Sequence, residues 1–509
     1  MLKLAKVFQK GMVLQCGKRT CIWGSGISGE KVEISIQGRH AETEVNENGS
    51  WKAYIPALMQ SGNETLTVRS KNEEWVVDDV AVGEVWIAAG QSNMEFWMRY
   101  EKHYQEERVH CENSDIRFFD VPKISFDRQE DYFDYSRVGR WRKASEKDLE
   151  YFSAVGYYFA KELTKARRVP VGIIGCNWGG TASMMWMSEV SLKKAGLPWL
   201  KDHEEQMKGM DMEAYWKRQA KNRINDTGNP FSNTFNECAL SRTVTLEEWQ
   251  KVLGSLPVDS DLNFTDIIPH TIPCCLYEHM VKRIAPYTVK GVLWYQGESD
   301  DVDGRQALYQ DMLNAVIADW RTCWSDPQLP FLIVQLPGWE SWLDQVNHDY
   351  KTIRKAQENV TNETAQTYLC SISDAGEQRD IHPKNKKIVG ERLALLARGT
   401  VYNEDILCSA PIIEKIEAKE QKVALYFRNT GEELHVKGNK IDALEVFIQE
   451  EPVDFQYEIS GGHIILTLDQ KAEGKNIRVE FAQQKWFTVN LYNEADIPAI
   501  PFAEKIELS

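Results

Sequence analysis

No stretch of this chain approaches the ~18–20 consecutive apolar residues that span a bilayer, so the sequence offers no membrane helix. The opening residues, MLKLAKVFQKGMVLQCG, also hold no apolar core of the ~7–15 residues expected of a secretory leader, and a cytoplasmic location is the expectation. Paired CxxC spacings are missing. The ten cysteines (Cys16, Cys21, Cys111, Cys176, Cys238, Cys274, Cys275, Cys323, Cys370 and Cys408) are scattered, which favours reduced thiols over a disulfide framework and leaves no thiolate zinc site. A basic surplus is missing too. Sixty Lys and Arg against 76 Asp and Glu give a formal charge of −16, so nucleic acid is excluded as a partner class by the lack of a phosphate-binding surplus. A strongly anionic substrate would need a local cluster of cations against that background. Internal repeats and low-complexity segments are absent.

What is present is globular: 42% hydrophobic and 27% charged residues over 509 positions, enough for two to four domains at ~150 residues each. Seventeen Trp suit large cores, and some could stack on sugar faces in a cleft. Residues 1–82 carry short alternating segments (CIWGSG, KVEISIQG, ETLTVRS) between Gly, Asn and Asp turns, the pattern of a small antiparallel β domain. From 83 to 402 the pattern changes to near-continuous apolar strands (EVWIAAG, VGIIGCNWGG, KGVLWYQGES, FLIVQLPG) alternating with helical stretches. That is the signature of a parallel α/β sheet buried on both faces. Within it, about 200–270 reads as a polar insertion with amphipathic helices at EEQMKGMDMEAYWKRQAKNR and TLEEWQKVLGSLP, placed to cap the catalytic face. Residues 403–509 return to strand patterning and form a second β region.

Catalytic residues of an open α/β sheet belong at the carboxyl ends of its strands. Four segments obey that rule: Ser92 after EVWIAAG, Gly179-Gly180-Thr181 after VGIIGCNW, Gln296-Gly297-Glu298 after KGVLWY, and the loop holding Asp380 and His382. Their chemistry is acyl transfer. Serine is a weak nucleophile alone, so Ser92 requires His382 as base and an acid, Asp380, to hold the imidazole. The oxyanion needs preorganised donors, which fall to the backbone N–H of Ser92, that of Gly180 (Gly179 as the alternate) and the Gln296 amide. Glu298 is either a support for these groups or a partner in core hydrogen bonding. The segment is not the GxSxG elbow, because Met94 stands at the second glycine position.

GQSNM resembles the first block of SGNH hydrolases and, more narrowly, of the sialate O-acetylesterase family. The likeness extends through GMVLQ, IWGSG, NWGGTASMMWMS, KGVLWYQGESD and DIHPKNKKIVGERLA, over residues 1 to about 400. It implies a flavodoxin-like SGNH core, with Ser92 as nucleophile, His382 as base and oxyanion contacts at Gly180 and Gln296. It also implies removal of O-acetyl groups from sugars without a metal or other cofactor. The general SGNH block spaces its acid three residues before the histidine, whereas Asp380 lies two before His382, so Asp374 is a rival orienter. Similar chains often carry an acidic residue shortly after GGT, where this one has Met184 and Met185.

The preferred substrate is an O-acetylated sialic acid. An acetylated xylo-oligosaccharide served by the same machinery is the alternative, and a non-catalytic sugar-binding protein is the rival of another class. A homodimer is left open. The acidic run Ser299–Gly304 reads as a solvated loop rather than a calcium loop, because the twelfth position from Ser299 is Gln310 and not Glu. His270 and His279 read as ordinary polar residues, and the Asn225-Asp226-Thr227 sequon carries no meaning in a cytoplasmic chain.

Overall fold

The computed structural model describes residues 1–226, 229, 240, 245–255, 266–343, 349–472 and 474–507. It is a mixed α/β architecture around one mainly parallel sheet. Strands β1 (Glu74–Gly90), β2 (Asn113–Asp120), β3 (Trp141–Ala144), β4 (Val171–Asn177), β5 (Gly291–Tyr295), β6 (Phe331–Val334) and β7 (Thr367–Cys370) lie in the order β3-β2-β4-β1-β5-β6-β7. Only β3 at the edge runs antiparallel. The continuous apolar runs have the expected cause, since β4, β5 and β6 are buried at every position and need no polar face. Because the central strands are parallel, their carboxyl ends share one edge.

Helix α1 (Ser92–Glu95) follows β1 directly. The longer helices α2 (Ala154–Arg167), α3 (Tyr309–Trp324), α4 (Lys351–Glu363) and α5 (Lys387–Thr400) alternate with the later strands. Ser153 starts α2 as its N-cap, its Oγ accepting from Gly156 N–H at 3.1 Å, and Arg168 closes it in the left-handed conformation.

The boundary read at 82/83 falls inside β1. This strand of 17 residues pairs antiparallel with Ser61–Arg69 through its first half and enters the parallel sheet with its second. No proline or loop-forming cluster interrupts it, and the bend is made at Asp79, whose φ is +56°. The buried guanidinium of Arg117 on β2 fastens that bend, donating to Asp79 O at 2.6 Å and Gly62 O at 3.0 Å. The N-terminal β region accordingly shares one hydrophobic core with the sheet, from Leu2 and Val13 through Trp86 to Leu393.

The last hundred residues have a core of their own, including Val423, Val446, Leu466, Val479 and Phe481. It lies among strands of two four-stranded antiparallel sheets. Helices occur in the expected insertion at Leu197–Met207, Met212–Gln219 and Leu246–Ser255, while its remaining parts and Cys238 lie outside the described residues. The nine described cysteines are unpaired, and no helix among the described residues is long and apolar enough to cross a membrane.

Candidate active site

The site begins where β1 stops. Gly90 has φ +134°, and a Cβ there would lie 2.1 Å from Tyr295 O, so a side chain at this point would prise β1 from β5. The buried Gln91 then turns the chain. Its Oε1 accepts from Gln296 Nε2 and from Ser299 N–H, both at 3.2 Å, which fixes the start of α1 against the end of β5. Ser92 follows at the first position of α1, and its Oγ lies 2.9 Å from His382 Nε2. Residues 290 apart in sequence thus meet at the carboxyl edge of the sheet.

His382 is buried, with Trp342 set edge-on to its ring at 5.3 Å and Phe96 tilted over it at 6.5 Å. Burial pushes its pKa well below the usual histidine value, and Lys384 and Lys386 push it the same way. The imidazole is therefore neutral at pH 7, the form that can accept a proton from Ser92. Among the described residues its Nδ1 has no hydrogen-bond partner; Asp380 Oδ1 lies 3.9 Å from it. Asp380 instead accepts from the His382 backbone N–H at 2.8 Å and pairs with Lys384 Nζ at 2.9 Å. Asp374, the rival orienter, is committed elsewhere. It forms a two-pronged pair with Arg392 at 2.6 and 2.8 Å and accepts from Tyr492 Oη at 3.2 Å, joining the sheet to the C-terminal region.

The structure brings the Gly179–Gly180 turn against α1, with revised roles. Gly179 N–H donates to Glu95 Oε2 at 2.6 Å, so the alternate donor is already occupied. Gly180 turns in the left-handed region at φ +72°, and neither its N–H nor that of Ser92 has a protein acceptor among the described residues. The Gln296 amide is a correction as well. It is fully buried and donates to Gln91 Oε1, Thr181 O and Asp300 Oδ2, so it braces the turn and has no N–H to spare. The cause is the buried Asp300 carboxylate. Burial raises its pKa to about 6 against the hydrogen bonds it accepts from the Ser183 N–H, the Ser183 hydroxyl and the Gln296 amide.

The acidic run is solvated only in its second half, residues 302–304. Asp300 and Asp301 are buried, and Asp301 Oδ2 accepts the backbone N–H groups of Asp349 and Tyr350 at 3.1 Å. Asp301 accepts backbone donors and Asp300 accepts from Ser183 and Gln296, and no cluster of three or more potential metal ligands occurs among the described residues. His270 also departs from expectation. It is buried and stacked on Trp178 at 4.6 Å beside the glycine turn, and burial lowers its pKa to about 4. His279 is half-buried with Asp127 3.8 Å away.

Sequence reasoning missed four groups. Asn93 donates to Ile381 O at 2.9 Å and to Glu298, and its Oδ1 accepts from the fully buried Lys386. One amide thereby joins the residue after Ser92 to the residue before His382. Burial lowers the Lys386 pKa to about 7 and raises that of Glu298. Glu95 and Lys123 form an ion pair at 2.9 Å beside Gly179. Asn93, Glu95 and Lys386 stand inside the blocks GQSNME and DIHPKNK, which was the available signal; Lys123 had none.

A serine hydroxyl in contact with a neutral imidazole, beside unoccupied backbone donors at a sheet edge, defines a serine ester hydrolase. Comparison with known proteins narrows this. The carbohydrate esterase family described as sialic acid-specific acetylesterase matches residues 237–396, the part that holds Gln296, Asp380 and His382. The chain is 27% identical over 432 residues to the sialate O-acetylesterase of Mus musculus (78% of this chain, 73% of that one). It is 26% identical over 479 residues to that of Homo sapiens (86% and 79%). A solved carbohydrate acetylesterase from Xanthomonas citri superposes with a TM-score of 0.74 at 26% identity, covering 99% of both chains. The chain is a carbohydrate esterase similar to the sialate O-acetylesterases.

Proposed function

We propose that the protein releases acetate from O-acetylated sugars through an acetyl-Ser92 intermediate. Ser92 Oγ attacks the acetyl carbonyl carbon while His382 Nε2 takes its proton. The tetrahedral oxyanion is held by the N–H groups of Ser92 and Gly180. His382 then protonates the departing sugar oxygen, the C–O bond breaks, and water repeats the sequence to free acetate and Ser92. Asp380 sets the loop through the His382 N–H, and its charge stabilises the imidazolium. The 2.9 Å Ser92–His382 contact carries this reading.

We read the fold as a flavodoxin-like SGNH core flanked by β-sandwich-type regions. Setting β2 and β3 aside, the sheet follows the doubly wound order in which ligands bind where the strand order reverses. That point lies between β1 and β5, beside Ser92. The scattered unpaired thiols support a cytoplasmic setting.

The relatives point to an O-acetylated sialic acid as substrate. A second reading, an acetylated neutral xylo-oligosaccharide, is favoured by the charges around the pair. Among the described residues, Lys123 is paired with Glu95 and Lys384 with Asp380, and Lys386 donates to Asn93. A sialic acid carboxylate drawn to one of these cations would have to displace its partner. The test is acetate release from both substrates side by side, with Ser92→Ala as control. Ser92→Ala should abolish release while the fold persists; wild-type rates in that variant would remove the esterase mechanism. Faster release from the sialic acid would remove the second reading.

A further inference from the structure

The buried ion pair between Glu95 and Lys123 has no part in the steps above, yet it touches the turn that would hold the oxyanion. Glu95 lies three residues after Ser92, on the same face of α1 and one helical turn away. One carboxylate oxygen, Oε2, accepts Gly179 N–H at 2.6 Å, while Oε1 faces Lys123 Nζ at 2.9 Å. The side chains are only 7% and 11% exposed. A Cβ on Gly179 would sit 3.2 Å from Ser92 Cβ and 3.3 Å from Glu95 Oε2, so the turn is seated directly on the nucleophile helix.

We infer that Glu95, held by Lys123, is a positioning residue that tethers the Gly179–Gly180 turn to the nucleophile helix and so sets the spacing of the two oxyanion donors. This rests on the esterase reading and deepens it. The donors Ser92 N–H and Gly180 N–H come from different strand ends, β1 and β4, and a hydrogen bond to an oxyanion weakens steeply when its donor is misaligned. The covalent chain fixes Glu95 relative to Ser92, and the Glu95–Gly179 bond fixes the turn relative to Glu95. Lys123 holds the other carboxylate oxygen at 2.9 Å, which fixes the orientation of the Glu95 side chain toward Gly179. A buried ion pair is seldom the most stable filling of such a space, so stability alone is a weak reason for this one.

The test measures kcat and KM for p-nitrophenyl acetate, inhibition by a small alkylboronic acid, and thermal unfolding in wild type, Glu95→Ala, Glu95→Gln and Lys123→Met. The boronate adduct with Ser92 places an oxygen where the oxyanion forms, so its affinity reports donor alignment. Removing a whole donor typically costs ~10²–10³ in turnover, and a misplaced one less. Glu95→Ala should therefore lower kcat about ten- to hundredfold, with KM within about twofold and boronate affinity weakened in proportion to kcat. Glu95→Gln, which keeps an acceptor oxygen for Gly179, should recover most of the loss, and Lys123→Met should fall between wild type and Glu95→Ala. Unchanged kcat in folded Glu95→Ala would overturn the inference, as would a lowered kcat with full boronate affinity. If Glu95→Ala fails to fold, the proportionality of kcat and boronate affinity in Glu95→Gln and Lys123→Met decides in the same way. Failure of the esterase reading would show separately, as hydrolysis surviving in Ser92→Ala.

Discussion

Replacing Asp380 by Asn tests the weakest contact in the site, the 3.9 Å gap between its Oδ1 and His382 Nδ1. Two unit charges at that separation attract by about 4 kcal/mol at an effective dielectric of ~20. This is the stabilisation available to the imidazolium as it forms. Lys384, 2.9 Å from the other carboxylate oxygen, offsets part of it. Halving the figure leaves about 2 kcal/mol, or ~30-fold in rate. Asp380→Asn should therefore lower kcat for p-nitrophenyl acetate by ~30-fold, and by up to ~10³-fold if the ring closes on Asp380 during the reaction. Asp374→Asn is the matched comparison. It weakens a part-buried pair with Arg392, at a cost below the ~3–5 kcal/mol typical of fully buried pairs, so it should lower the melting temperature and leave kcat of the folded fraction nearly intact. If Asp374→Asn lowered kcat more than Asp380→Asn at matched folded fraction, the electrostatic argument would be refuted and Asp374 would take the role.

The depressed His382 pKa makes a second prediction. The neutral base exists above that pKa, so kcat/KM should hold level through neutral pH and be lost only as pH falls through a midpoint well below 6.5. Lys384→Met removes one of the cations that lower it and should move that acid limb to higher pH; a shift to lower pH would contradict the assignment. Asn93→Ala cuts the tie between the nucleophile turn and Ile381, so kcat should fall by about tenfold, with slower labelling of Ser92 by a fluorophosphonate. Unchanged labelling would show that the Ser92–His382 contact stands without that amide.

The parts of the site that follow from strand ends were legible in sequence. Ser92, Gly180, Gln296 and His382 come after uninterrupted apolar strands or in a polar loop, and the parallel sheet gathers such ends on one edge. Which donor remains free was not legible. Whether Gln296 faces a ligand or Asp300 depends on the burial of an acidic run that reads as surface until the Asp349–Tyr350 backbone is seen closing over Asp301. The Lys123–Glu95 pair was hidden because it joins residues of different elements, and pairing across elements leaves no local spacing to read. The mid-strand crossing at 82/83 was hidden because Gly83, a residue type that usually marks a break, continues the strand here.

The long strand β1 ties the reacting hydroxyl to a distant part of the molecule. Its outer half is zipped to Ser61–Arg69 and its inner half ends at Gly90, two residues before Ser92, with the Arg117 guanidinium as a rivet at the bend. Trimming the polypeptide to start at position 83 would saw through this girder. The N-terminal β region is thus a foundation for the nucleophile, and heat or denaturant should melt the two together.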